Sequence, residues 1–219
     1  FIALPTNVAS NLYNKGVNLK LLNVSVWGIL QMISRDPNLK TIKDFKDKEI
    51  VIPFRADMPD IVFQELAKKS GLNPKKDFKI QYVANPVDAM QMLILRRVDH
   101  ALLAEPAVSI ALRKTKSFPV KLVAPELYRS VNLQEEWRKL FNVEAKIPQA
   151  GLAYIGDTKG KEELINKFLI EYEKSLSWYK QNPKEAATLV VKNLPMLDVE
   201  GLADSIEHVV FENIKAQDA

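Results

Sequence analysis

NPVDAMQMLILRRVDHALLAEP (residues 85–106) is the stretch that decides the fold. Asn85 is a helix-capping residue type, Pro86 tolerates a first helical position, and Asp88 brings negative charge to the helix start. Met90, Leu93 and Ile94 then recur at helical spacing. Residues 101–104 follow as a short apolar strand, and Glu105-Pro106 opens a further helix with Val108, Ala111 and Leu112 on one face. Helix, strand and helix in that order are one unit of an alternating α/β chain.

The alternation continues outward. Strands are expected at residues 1–4, 29–33, 50–52, 80–83, 120–123 and 152–155. Leu22, Val24 and Val26 alternate with Asn23 and Ser25, as in a half-buried strand. A short helix after Pro5-Thr6-Asn7 should stop near Gly16. Asp57 caps another, with Pro59 in its first turn and Gly71 past its end. Together these predict largely parallel sheets. From Lys161 onward the pattern is helical alone, with Ile165, Phe168, Leu169, Tyr172, Leu176 and Tyr179 on one stripe. Asn182-Pro183 restarts a helix, and Asp198 starts a last one that includes His208, Val209 and Val210.

Bulk properties exclude several classes. At 219 residues, 47% hydrophobic and 26% charged, the chain can bury a substantial core and is not of disordered composition. No apolar run approaches the roughly 20 residues that span a bilayer. Without cysteine, neither disulfides nor thiolates contribute. The net charge of +4 comes from basic residues scattered in pairs among acids. A nucleic-acid binder gathers them on one face, so none is expected as a partner. Phe1 reads as the interior of a strand, so the chain is expected to begin inside a domain.

Catalysis has little to stand on. The two histidines, His100 and His208, accompany no nucleophile pattern, and the seven glycines form no phosphate-cradling loop. No dense acidic motif marks a metal site. Catalytic residues, cofactors and metals are therefore expected to be none. Strand-to-helix junctions offer more, because ligands of open α/β sheets sit beyond strand carboxyl ends, near helix starts. Those junctions carry Thr6 and Asn7, then Arg55, Asp57 and Met58, then Glu105. Trp27, before Gly28, is a stacking candidate. Capping alone also accounts for Thr6, Asn7 and Asp57, surface charge for Arg55, helix-start charge for Glu105, and packing for Trp27.

The order of the blocks resembles the substrate-binding proteins of ABC transporters in the nitrate, sulfonate, taurine and thiamine-precursor group (NMT1/THI5-like). LKTIKDFKDKEIVIPF (residues 39–54) is similar to that family's entry into its second lobe. Gly71-Leu72-Asn73-Pro74 and residues 85–106 follow at the family's spacing, and Pro148-Gln149-Ala150-Gly151 looks like the return crossing. The resemblance implies a two-lobed α/β fold, the periplasmic-binding-protein type II fold, with the first lobe incomplete at its N-terminus. Residues 1–26 plus 156–219 would form lobe one, and residues 27–155 lobe two. It further implies a non-enzymatic, monomeric receptor, periplasmic or extracellular and lipid-anchored. Its partners would be a small-molecule ligand, captured by hinge closure, and an ABC permease. Thr6, Asn7, Trp27, Arg55, Asp57, Met58 and Glu105 would line the cleft.

Two departures bear on the ligand. Family members carry a Gly-, Ser- and Thr-rich loop where this chain has Phe54-Arg55-Ala56-Asp57-Met58. Arg97 and His100 replace a usual Gly and Ala. A carboxylate about 4 Å from an anionic ligand costs roughly 4 kcal/mol at an effective dielectric near 20. A helix start returns only about 0.3–2 kcal/mol. A ligand with donor or cationic groups, such as a nitrogen heterocycle, is thus expected over a bare sulfonate. Two other readings share the architecture. One is an enzyme of the menaquinone or thiamine-pyrimidine type, with His100 as base; the other is the effector-binding domain of a LysR-like regulator.

Overall fold

The computed structural model describes residues 1–219. The chain runs β1 (Ile2–Pro5), α1 (Thr6–Asn14), β2 (Leu19–Gly28), β3 (Leu30–Ser34), β4 (Glu49–Pro53), α2 (Met58–Lys69), β5 (Lys79–Val83) and α3 (Pro86–Ile94). It continues through β6 (His100–Ala104), α4 (Ala107–Lys116), β7 (Tyr128–Asn132), α5 (Leu133–Phe141) and β8 (Ala150–Ile155). It ends with α6 (Glu162–Gln181), α7 (Pro183–Asn193), α8 (Val199–Ser205) and β9 (Val210–Lys215). Caps set several helix starts as expected. Asn85 accepts the Asp88 N–H at 3.0 Å, and Asp198 accepts that of Gly201 at 2.6 Å.

The strands form two sheets, ordered β1-β8-β2-β9 and β5-β4-β6-β3-β7. The first is antiparallel throughout. In the second, β4 runs parallel to β5 and β6, while β3 runs antiparallel to β6 and β7. The expectation of largely parallel sheets is thus corrected. Crossover helices make only the β4, β5 and β6 contacts parallel, because β3 enters from the other sheet.

Burial in the second sheet follows the two-residue period of a strand. Ile50, Ile52, Met32 and Leu102 face Phe45, Phe63 and Leu66 on one side. Val51, Ile33, Ala101 and Leu103 face Met90, Leu93, Val108 and Ile110 on the other. With both faces covered, β4 reads as a continuous apolar run. Each such side chain contributes about 1.5–3 kcal/mol of transfer free energy.

The chain passes from the first sheet to the second at Gly28 and returns beside it. Ile147 donates its N–H to Trp27 O at 2.7 Å, and Gln149 to Val26 O at 2.9 Å. β2 is buried on both faces, not half-buried, because its polar positions find partners indoors. Ser25 accepts from Tyr172 Oη at 2.7 Å. Asn23 Oδ1 accepts the Leu152 N–H at 2.8 Å, and its Nδ2 donates to Asn213 Oδ1 at 2.5 Å. These bonds span register shifts in β2 between Leu21 and Asn23 and between Val24 and Val26.

Three local expectations differ. The strand expected at residues 120–123 is a 3₁₀ turn over Val120–Leu122, with Leu122 and Val123 exposed. α8 stops at Ser205, so His208 lies in a following 3₁₀ turn rather than in a helix. Val210 then begins β9, where Phe211 and Ile214 pair with Val26 and Val24. β-branched and aromatic residues suit that half-buried strand, and pairing with β2 overrides the helical spacing.

Candidate ligand-binding junction

β1 delivers Thr6 to the start of α1, and Pro5 at the N-cap offers no side-chain cap. Thr6 instead clamps the returning segment. Its N–H donates to Gln149 O at 3.1 Å and its Oγ1 to Pro148 O at 2.6 Å. From the other sheet, β4 delivers the loop that ends at Asp57, the N-cap of α2. Asp57 Oδ1 accepts the Met58 N–H at 2.7 Å and Asn7 Nδ2 at 2.5 Å. Thr6, Asn7, Asp57 and Met58 therefore meet where the starts of α1 and α2 converge. Of the four buried side-chain polar atoms without a protein hydrogen-bond partner, two belong to residues of this region, Asn7 Oδ1 and Gln149 Nε2. Gln149 is 4% exposed.

Asp60 shapes the loop from below. It is 1% exposed and accepts from Ala56 N at 2.8 Å, Gln64 Nε2 at 2.8 Å and Tyr82 Oη at 3.0 Å. Burial and the neighbouring Asp60 push the Tyr82 phenol up to about 12, so it stays a donor. Phe54 and Ala56 are held at φ 58° and 61°, a left-handed conformation that is costly for side-chain-bearing residues. Arg55 lies over the Tyr82 ring, 5.3 Å from its centroid.

Glu105 lies on the same carboxyl edge of the second sheet, but its side chain is wholly buried. Its two oxygens accept from Arg129 Nη1 and, at 3.1 Å, from the Ser109 N–H. Arg129 also donates to Ser109 Oγ at 2.8 Å. Glu105 thus has internal partners where a ligand contact was expected. Trp27, 7% exposed, donates Nε1 to Glu212 O at 2.8 Å and to Val24 O at 3.2 Å. Its indole is committed to the first sheet.

Sequence reasoning missed Asp60 and Arg129, and took Gln149 only as part of a crossing. A buried carboxylate three residues past an N-cap gives a detectable signal, since Asp60 falls in the first turn of α2. Arg129 gives none, because its partners are distant in sequence.

His100 sits at the opposite edge of the sheet, at the start of β6, near Phe45. Its Nδ1 is 2.9 Å from Ser34 Oγ, which itself accepts the Asp36 N–H at 2.8 Å. Ser34 Oγ can donate to Nδ1 or accept a second N–H from it, so either neutral tautomer fits this pair. Glu105 is five residues further along β6, roughly 16 Å away at strand rise. The only histidine weighed as a base is thus far from the junction.

Burial holds the His100 pKa below its usual value. The unfolded chain takes up a proton from about pH 6.5 downward, the folded chain only below that. The stability contributed by the neutral ring is complete above about pH 6.5 and is lost as pH falls through the folded pKa. Urea midpoints should fall between about pH 7 and pH 5, and His100→Asn should flatten that limb. An unchanged slope in the variant would remove His100 as its source.

An open polar crevice of about 460 Å³ lies between α4 and α8, lined in part by Ser109, Arg129 and His208. Its Arg113 is already paired with Glu200 at 3.2 Å and Asp204 at 3.1 Å. Lys116, with no ion-pair partner, also lines it.

The architecture is the two-lobed α/β fold of type II periplasmic binding proteins. No family model and no curated protein sequence matches the chain. Solved structures do. An ABC transporter protein from Parabacteroides distasonis aligns with a TM-score of 0.77 and 23% identity, covering 99% of this chain and 69% of that one. The periplasmic aliphatic sulphonate-binding protein SsuA from Escherichia coli aligns at TM-score 0.67 and 14% identity, covering 95% and 66%. The periplasmic nitrate-binding protein NrtA from Synechocystis PCC 6803 aligns at 0.62 and 14%, covering 97% and 56%. The chain therefore spans about two thirds or less of the length of these structures. No helix in it is long and apolar enough to cross a membrane.

Proposed function

We propose that this protein is the solute-binding component of an ABC uptake transporter, capturing a small organic molecule and presenting it to a permease. In this reading it works as a monomer outside the cytoplasmic membrane, in the periplasm or lipid-anchored at the cell surface. Residues 1–26 with 156–219 act as one lobe and residues 27–155 as the other, closing about the segments at Gly28 and Gln149. Thr6, Asn7, Asp57 and the backbone at Met58 contact the solute, while Arg55 and Glu105 shape the rim through Tyr82 and Arg129. Trp27 stiffens the hinge.

The observation that carries the reading is the Asn7–Asp57 hydrogen bond, which joins helix starts belonging to two different sheets beside unpartnered buried polar atoms. Buried polar atoms without protein partners are rare in folded proteins, and a water, an ion or a bound solute can complete their hydrogen bonding. The fold shared with binding proteins supports the same conclusion. Native mass spectrometry of protein purified without refolding should reveal one small adduct. The adduct, or a solute matched to it, should raise Tm by several degrees and shrink the scattering radius. Asn7→Leu should lose the adduct. Absence of any adduct, together with a scattering radius that no solute changes, would rule out capture by closure.

A further inference from the structure

α8 is joined through the chain to the first sheet. α6 and α7 precede it, and β9, which pairs with β2, follows after a 3₁₀ turn. Yet α8 is seated on the second sheet's layer, between α7 and α4. Its backbone reaches that of α4 directly. A Cβ at Gly201 would stand 3.0 Å from Ile110 Cα and 2.6 Å from Ile110 Cγ1. Ile110 belongs to the core cluster that holds Val51 and Leu103, and Leu197, just ahead of α8, packs against the same cluster. Leu202, Ser205 and Ile206 are buried. At the rim, Arg113 of α4 reaches Glu200 at 3.2 Å and Asp204 at 3.1 Å, one helical turn apart. All three side chains are roughly half exposed, so these ion pairs orient the contact more than they hold it. The apolar seat holds it.

In the receptor reading above, α8 is part of one lobe and α4 of the other. Their contact is then a tie between lobes, separate from the crossings at Gly28 and Gln149. Parting the two helices would bare Ile110 and Leu202 to water, which opposes opening. We propose that α8 is a latch: seated on α4 it holds the two lobes closed, and its release is the step that lets them part. This inference rests on the receptor reading and assigns the element that gates it.

Small-angle scattering of the whole chain without solute tests it. Gly201→Leu favours the helix itself but drives a side chain into the Ile110 backbone. Its radius of gyration should exceed that of the wild type by about 1 Å, on the roughly 17 Å of a compact chain this long, with the helical circular-dichroism signal kept. Because the chain has no cysteine of its own, the same contact can also be bolted chemically. A Cβ at position 201 lying 3.0 Å from Ile110 Cα is within disulfide reach. The triple variant Ile110→Cys, Arg113→Ala, Gly201→Cys should keep the wild-type radius when oxidised and expand by a similar ~1 Å when reduced. Its oxidised form guards against a variant that merely misfolds.

A wild-type radius in the reduced triple variant overturns the latch, whatever Gly201→Leu does. So does an expansion that oxidation fails to reverse, because the opening then lies elsewhere. Neither result touches the receptor reading, since no solute enters these measurements. That reading falls only on the missing adduct and unchanging radius described above.

Discussion

Gly151→Ala is expected to cost this protein a large part of its stability. A Cβ at that position would stand 1.9 Å from Asn23 O, 2.9 Å from Asn23 C and 3.0 Å from Val24 Cα. All three are backbone atoms, so no rotamer change relieves the overlap. Gly151 lies in β8 between Leu4 of β1 and Val24 of β2, leaving no open side. Asn23 cannot retreat without breaking its bonds to Leu152 and Asn213. Overpacking costs about 1–3 kcal/mol, and each sheet hydrogen bond lost adds about 1 kcal/mol. A total near 3–5 kcal/mol is a large share of a typical 5–15 kcal/mol. Tm should fall by roughly 10 °C or more in calorimetry. Gly16→Ala is the control. Its Cβ meets nothing within 4 Å, so only the φ of 86° opposes it, at about 1–2 kcal/mol. Equal losses for the two variants would show that the overlap at Gly151 relaxes freely.

Arg129→Met should be nearly as damaging. It strands the Glu105 carboxylate, whose side chain is wholly buried, with only the Ser109 N–H as partner. Removing one member of a buried pair costs about 3–5 kcal/mol, mostly as the penalty of the unpaired charge. Adding Glu105→Gln should recover most of the loss, and the double-mutant cycle isolates the coupling. A single variant as stable as the wild type would mean that solvent reaches Glu105 readily.

The second sheet was legible because its residue types repeat the physics locally. Asn85 and Pro86 announce a helix start, and the run at Ile50, Val51 and Ile52 announces a strand covered on both sides. β7 and α5 were not read, because β7 is a half-buried edge strand, YRSVN, with no apolar alternation. A capping signal was nonetheless present there. Asn132 accepts from Gln134 N at 3.0 Å and Glu135 N at 3.1 Å, ahead of Trp137, Leu140 and Phe141. β9 was hidden because Val209 and Val210 continue a helical spacing that only pairing with β2 interrupts.

At the junction, Thr6, Asn7 and Asp57 were legible as polar residues at strand-to-helix turns. Their mutual contact was not, since Asn7 and Asp57 are 50 positions apart. Glu105 and Trp27 have the chemistry of ligand contacts, yet long-range partners close them off, and no local pattern announces Arg129 or Glu212.

The three irregularities in β2, the last between Val26 and Gly28, have a mechanical consequence. The first sheet joins the second along β2 at Gly28 and along the return segment at Gln149, while α4 and α8 pack against each other away from that crossing. A strand with regular pairing would distribute a bend over its whole length. Here the ladder is already interrupted on either side of Asn23 and Val24, with a side-chain amide splinting the gap. The pairing of β2 is therefore weakest between Leu21 and Gly28, and a bend of that strand is expected to concentrate there.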